Sequence, residues 1–442
     1  MKSIFRFFLL ALMLQVCAGC SGWWGEREAP RLPGNRISVL SEQRPPLTIK
    51  GDQPLVSIPR PHRNTSWPQA GGFAHHAMHH LSAPGSLTKI WSRALGGGSN
   101  KSQQLLGSPV ILEGKIYVIT ADAVVTELKA SNGEKGWSKR LGLLLGKGSE
   151  GTLGGGLAVS GNQLFATTGA GIVFCMDRRN GEVIWTKNIG TPIRSGPAIY
   201  DGQVIVSDIT NKTYSFDKKN GSRRWQHSGI LERAIFMGGS SPAASKSIVV
   251  VSHSSGELVA IGAQNGNQLW IESLVGKKKA DPISNISHSR GNPIIDRNLV
   301  VASSNSGRTI ATDLASGTRV WETNFGSSES PWVAGEYVYL ITTNRQLVCL
   351  VRQTGKVVWV TQLKSFENSR DKEKPIQWTG PVLAGDRVLV AGSSGEVWSL
   401  SPFDGEPLGK IRVSTGGKKG PPINIVSMIF ANFIYPISKV FS

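Results

Sequence analysis

One short phrase recurs along the chain: a glycine in a turn, then a tryptophan four residues later. It reads "CMDRRNGEVIW" at 175–185, "SFDKKNGSRRW" at 215–225, "AIGAQNGNQLW" at 260–270, "ATDLASGTRVW" at 311–321 and "CLVRQTGKVVW" at 349–359. Gly133 before Trp137 extends the series on one side. Gly405 extends it on the other, with Gly409 where the Trp falls. Trp91, in "SLTKIWSRAL", has a strand but no preceding turn. The positions 91, 137, 185, 225, 270, 321, 359 and 409 are spaced by 46, 48, 40, 45, 51, 38 and 50 residues. A period of roughly 40–50 residues marks propellers and related arrays.

Each period reads as β throughout. "SIVVVSHSSGELVAIGAQNGNQLWIE" runs through a β-branched stretch, an S-S-G turn, a second stretch, an N-G turn and a third. N-G and D-G between apolar runs are strong hairpin signals, because both central residues tolerate positive φ. With an opening strand such as "SPAAS", four short strands fill one period of roughly 45 residues. The ends favour a ring over an open solenoid. Residues 88–94 give a Trp strand without the strands before it, and 420–437 give strands without a following Trp. Joined, they form one split blade that closes the circle and removes exposed sheet edges. The expected fold is all-β: an eight-bladed β-propeller over 86–442, its last blade closed by N- and C-terminal strands. The Trp is then a plate wedged between blades, burying about 150–250 Å².

Upstream of the ring the chain changes character. "MKSIFRFFLLALMLQVCAGC" has Lys2 and Arg6, an apolar run from Phe7 to Leu14, and small residues before Cys20. The run is too short to span a bilayer, which predicts a signal peptide over 1–19. "CAGC" resembles a bacterial lipobox, which makes Cys20 the lipidated first residue of the mature chain. Ser21 after it favours the outer membrane. Residues 20–85 are punctuated by prolines and poor in apolar periodicity, so they read as an extended tether. The net charge of +19, from 49 Lys and Arg against 30 Asp and Glu, calls for an anionic neighbour. In an exported protein that neighbour is a lipid surface or an acidic protein, and nucleic acid is not an expected partner.

Residues that carry chemistry are sparse. "AHHAMHHL" holds His75, His76, His79 and His80, pairs at i and i+4 that would suit a metal on a helix. No Cys or acidic residue stands beside them, so a cap or surface turn is expected and no metal site is assigned. "GTLGGGLAVSG" lacks the Lys of a phosphate loop and reads as close strand packing. Cys175 and Cys349 each stand six residues before a turn glycine. Ser215, Ala260, Ala311 and Ser399 fill the same slot elsewhere, with Glu127 the exception. The slot suits a small side chain, hence buried free thiols. Four repeats apart in a ring of eight, the two cysteines fall on opposite sides and cannot form a disulfide. No catalytic residue and no cofactor is expected.

The Gly-x-x-x-Trp phrases resemble quinoprotein-type propeller repeats. With the lipobox and eight repeat positions, the chain resembles the BamB family of outer-membrane assembly factors. "NGEVIW", "SSGELVAI" and "GSSGEVWSL" carry that likeness, and "LPGNRISVL" and "SWPQAGG" resemble its alphaproteobacterial branch. The resemblance implies a lipid-anchored, non-enzymatic scaffold on the periplasmic side of the outer membrane. Its expected partners are a BamA-type barrel assembly protein and unfolded outer-membrane clients. It also implies a docking loop of Leu-x-Leu-Arg pattern, matched by "NIGTPIRSGP", where Ile193 and Arg194 fit and Thr191 replaces the first Leu. An acidic pair one loop further round falls on "ISHSRGNP", where this chain has His288 and Arg290. Two other classes share these features: an envelope module that binds peptidoglycan or another polymer, and a quinone-dependent dehydrogenase. The dehydrogenases usually carry vicinal cysteines, which this chain lacks.

Overall fold

The computed structural model describes residues 55–93, 95, 107–142, 154–231, 239–276, 291–368, 371 and 373–413, all within one compact unit. Among them are seven four-stranded antiparallel sheets, each built from strands consecutive in sequence, and one two-stranded hairpin, Phe366–Asn368 with Glu373–Pro375. We number the sheets as blades 1 to 7. Their first strands are Val110–Leu112, Gly155–Ser160, Ala198–Tyr200, Ala243–Ser245, Ile294–Asp296, Trp332–Ala334 and Trp378–Leu383. The middle strands are almost wholly buried. The last strands alternate, as Gln268–Ser273 does, because only one of their faces meets a neighbouring blade.

The Gly and the Trp of one repeat serve two different interfaces. Trp137 donates its indole N–H to Arg178 O of the following blade, at 2.9 Å. Trp185, Trp225, Trp270, Trp321 and Trp359 do the same to Lys218, Ala263, Leu314, Arg352 and Pro402. Each ring lies against the turn glycine of the blade that receives it: Trp270 on Gly317 and Trp321 on Gly355. Trp91 follows the rule, bonding Ala130 O and covering Gly133 of blade 1. It therefore belongs to a blade that precedes blade 1, which makes the ring eight-bladed. The C-terminal strands expected to complete that blade lie outside the described residues.

The small-residue slot has a mechanical cause. In every blade the pairing of the last two strands slips by one residue at the same place. The residue just before the slip stands opposite the Trp: Cys175 opposite Trp185, Ser215 opposite Trp225, Ala260 opposite Trp270, Cys349 opposite Trp359. The bulge turns the indole over this position, leaving room for a small side chain. Both cysteines are buried and unbonded, in blades 2 and 6. Burial pushes the Cys175 thiol up to about 12 and raises Cys349 as well, so neither is a poised nucleophile.

The expected tether ends sooner than residue 85. From Leu55 onward the segment is part of the folded body, and Trp67, Ala77, Met78 and Leu81 are core residues. Its course is orderly. Trp67 exchanges two backbone hydrogen bonds with Ile111 of blade 1, and Pro68 O accepts from Val159 of blade 2. Gln69 Oε1 accepts from Ile199 N of blade 3. Ala74 O and His75 O accept from Ala244 of blade 4 and Ile295 of blade 5. His79 O accepts the Trp332 indole N–H of blade 6, and Leu81 pairs with Leu383 and Gly385 of blade 7. Fifteen residues thus visit the first strands of seven blades in ring order. First strands have no inner neighbour, and this strap gives their exposed backbone groups partners.

The four histidines belong to the strap rather than to a surface cap. His76 Nδ1 donates to Pro293 O at 2.8 Å. His80 donates from Nδ1 to Pro59 O and accepts Asp386 N–H at Nε2, 3.0 Å away. Among the described residues no three His, Cys, Asp or Glu side chains form a metal-holding group. Burial lowers His76 from 6.5 to about 4. The unfolded chain therefore binds more protons than the folded one between these values, and stability falls as pH drops through that window. The loss approaches about 3 kcal/mol near pH 4. His76→Asn keeps an amide donor and suits the positive φ of 62° at this position. Urea midpoints measured from pH 7.5 to 4 are expected to fall less steeply in this variant than in the parent.

Candidate interaction face

The loop after Trp185 is held at both ends and in the middle. Asn188 Oδ1 accepts Gly190 N–H at 2.8 Å, and Ile189 N–H donates to Gly171 O of blade 2. Pro192 O accepts from Ile209 N of blade 3, and Ile193 forms a bridge with Asp208. Thr191, standing where the family pattern has Leu, donates its hydroxyl to Asp208 Oδ2. The polar replacement thus serves as a clamp between the loop and blade 3.

The two residues matched to the docking pattern have opposite fates. Ile193 is wholly buried, packed with Phe165, Val173, Val204 and Phe216. Its bridge to Asp208 turns it inward, so it supports the loop from below and offers a partner no contact surface. Arg194 is half-buried, with its backbone and stem against Gly154 and Gly239, and burial lowers its guanidinium pKa. It is a seated cation rather than a free surface arm. His288 and Arg290 lie outside the described residues.

Beside Arg194 opens a small cleft between blades 3 and 4. Two turns form its walls, Asp208–Asn211 and His253–Gly256. Asp208 accepts from Thr210 N and Oγ1, Lys212 N and Tyr214 Oη as well as Thr191, so its carboxylate is consumed in organising its own turn. Asn211 ties the two blades together. It donates to Ile230 O at 2.6 Å and accepts Ser254 N–H and Oγ–H at 2.9 Å each.

His253 is the residue that sequence reasoning missed, although a signal for it exists. The first residue of this turn is Thr120 in blade 1, Thr168 in blade 2, Asp208 in blade 3 and Thr342 in blade 6. Each turns its side-chain oxygen onto the backbone N–H four residues on. In blade 4 the slot holds His253, which turns instead to Glu257, Nδ1 to Oε2 at 3.6 Å. Its ring stacks on His227, centroids 6.4 Å apart. Burial lowers it to about 4 despite the carboxylate. Neither ring nitrogen, nor the neighbouring Ser252 hydroxyl, has a hydrogen-bond partner among the described residues.

A family model described as outer membrane protein assembly factor BamB matches residues 142–361. Among curated proteins the chain is 22% identical to the outer membrane protein assembly factor BamB of Moranella endobia over 333 residues, 74% of this chain and 83% of that one. It is 24% identical to BamB of Salmonella typhimurium over 335 residues, covering 75% and 82%. Among solved structures it superposes on BamB from Moraxella catarrhalis with a TM-score of 0.61 at 18% identity, over 74% of this chain and 92% of that one. Quinohemoprotein alcohol dehydrogenase from Comamonas testosteroni gives 0.61 at 15% identity, over 80% and 74%. At such identities the superpositions show a shared propeller.

Proposed function

We propose, from the premise that this chain is a BamB-like propeller, that it is a non-enzymatic scaffold of the machinery assembling β-barrel proteins in the bacterial outer membrane. It docks on a BamA-type partner through the face that carries Arg194. The observation supporting this site is how Arg194 is held: a half-buried guanidinium on a loop clamped to two blades. A rigid, partly desolvated Arg is a frequent interface anchor, because little rotamer entropy is lost when a partner arrives. Ile193 contributes by fixing the loop from within, which amends the direct role expected for it. Arg290, with His288 close by in sequence, adds positive charge two inter-blade connections further along the chain, which suits an acidic edge on the partner and aids steering more than affinity.

The likeness to quinohemoprotein dehydrogenases is one of fold, and this fold hosts unrelated functions. In our reading Cys20 carries a lipid, and residues 20–54 are the tether that lets the ring work away from the bilayer. The mass of the mature N-terminus tests the lipid. Arg194→Glu is expected to weaken capture by immobilised BamA-type periplasmic domains more than tenfold at physiological salt, without unfolding the propeller. Lys139→Glu, on the exposed last strand of blade 1, is expected to leave capture unchanged. Wild-type capture by Arg194→Glu would move the interface elsewhere on the ring.

A further inference from the structure

We propose that Asp208 is the positioning residue of the docking face. Its second carboxylate oxygen holds Thr191, and through Thr191 it sets the loop that presents Arg194. The inference rests on the docking role given to Arg194, and goes beyond it by naming a buried residue that governs capture from behind the loop.

Asp208 opens the turn between the second and third strands of blade 3. Thr120, Thr168 and Thr342 fill that slot in blades 1, 2 and 6, and each accepts the backbone N–H four residues on with its hydroxyl. One oxygen is enough for this. Asp208 does it with Oδ1, which accepts Thr210 N–H at 2.8 Å, Lys212 N–H at 3.0 Å and the Thr210 hydroxyl at 2.8 Å. Oδ2 is left for other donors. It accepts the Thr191 hydroxyl and, at 3.4 Å, that of Tyr214. A carboxylate has about four lone-pair sites where a hydroxyl has two, so an acid can cap its own turn and hold a neighbouring loop at once. Among the described residues none of the three threonines bonds the loop that enters its blade.

The extra bond falls where it controls Arg194. Pro192 O accepts Ile209 N–H at 3.0 Å and Ile193 bridges Asp208, so 191–193 run beside 208–209 like a short strand. On the other side Ile189 and Ile193 donate to Gly171 O and Thr168 O of blade 2, at 2.9 and 3.4 Å. The Thr191–Asp208 bond adds a side-chain tie to these backbone bonds. It is charge-assisted, and Asp208 is buried, so water competes for it poorly. Arg194 follows the bridged Ile193 directly, and its starting point is set by this tie. A loop released from Oδ2 takes up other courses as well. Only the fraction in the docking course binds, and the apparent affinity falls by that fraction.

The test is capture of the full chain by immobilised BamA-type periplasmic domains, with urea unfolding and amide exchange measured on the same variants. Thr191→Val keeps the side-chain shape and removes the hydroxyl. It is expected to weaken capture roughly threefold to tenfold, the scale of ordering costs at an interface. Thr191→Ser, which retains a hydroxyl, is expected to avoid most of that loss. Asp208→Thr installs the residue of blades 1, 2 and 6 and keeps an acceptor for Lys212 N–H. It should weaken capture to the same extent, speed amide exchange at Gly190, Ile193 and Arg194, and leave a single cooperative urea transition. Combining Thr191→Val with Asp208→Thr should cost no more than Asp208→Thr alone, because both remove one bond. In an Arg194→Ala background neither change should weaken capture further, since no anchor remains to be placed. If Arg194→Ala is captured like the parent, the docking reading itself fails and takes this proposal with it. If Arg194→Ala weakens capture while Thr191→Val does not, the reading stands and Asp208 has no positioning role. The role is equally refuted if Thr191→Ser is captured as poorly as Thr191→Val, or if Thr191→Val costs as much without Arg194 as with it.

Discussion

Trp67→Ala is expected to lower the unfolding free energy by about 3–5 kcal/mol, the range for emptying a fully packed aromatic site. The residue is 3% exposed. It stacks on Trp332 of blade 6 with centroids 6.5 Å apart and planes 9° from parallel, while its backbone pairs with Ile111 of blade 1. A single residue thus connects two blades that are not neighbours in sequence, one through its ring and one through its backbone. Propeller blades touch only adjacent blades, so their stability approximates a sum of blade and interface terms. The strap breaks that rule by adding bonds common to seven blades. Truncating Trp67 should therefore broaden the urea transition as well as shift its midpoint, because loosening the strap uncouples blades that otherwise melt together. A sharp transition shifted by less than about 1 kcal/mol, the usual size of a surface substitution or smaller, would mean that the strap merely rests on the ring.

That strap was the least legible part of the sequence, for a physical reason. Sequence patterns report side-chain periodicity, and this segment has none, because it makes roughly one backbone bond per blade and turns between them. Its Gly71 and Gly72 both adopt positive φ, and a Cβ on Gly71 would stand 2.6 Å from the His76 ring. "AGGFAHHAMHHL" therefore encodes close packing, in a form that prolines and glycines make look like linker. Blade number and order were legible because each Trp marks one interface and each turn glycine another. The small slot at Cys175, Ser215 and Ala260 was legible as a preference, while its cause, a bulge opposite the Trp, required the strand register. Ile193 misled in the opposite sense. An apolar residue beside an Arg reads as a contact pair, yet the bridge to Asp208 sends the two side chains to different places. His253 stood in plain view, out of line with Thr120, Thr168 and Thr342, but only the turn hydrogen bonds make that slot comparable between blades.

The repeated glycine supplies the sharpest test of how the ring is held. Gly317 sits at φ 73°, and a Cβ there would lie 2.5 Å from Trp270 Cγ and 2.8 Å from Trp270 Cβ. Gly317→Ala therefore meets two penalties. The left-handed backbone costs an L-residue about 1–2 kcal/mol, and forcing a methyl into the indole costs a further ~1–3 kcal/mol. Gly161 separates them. It adopts φ 58° in the first turn of blade 2 and has nothing within 4 Å of its Cβ position, so Gly161→Ala carries the backbone term alone. Gly317→Ala should then be the more destabilising by at least about 1 kcal/mol, the smaller end of the overpacking range. It should also change Trp270 emission, since the ring is displaced and its 2.8 Å hydrogen bond to Leu314 O is stretched. If the two variants unfold at the same urea concentration, the glycine is retained for its turn alone. The Trp plate would then be a filler rather than the element that fixes the spacing between blades.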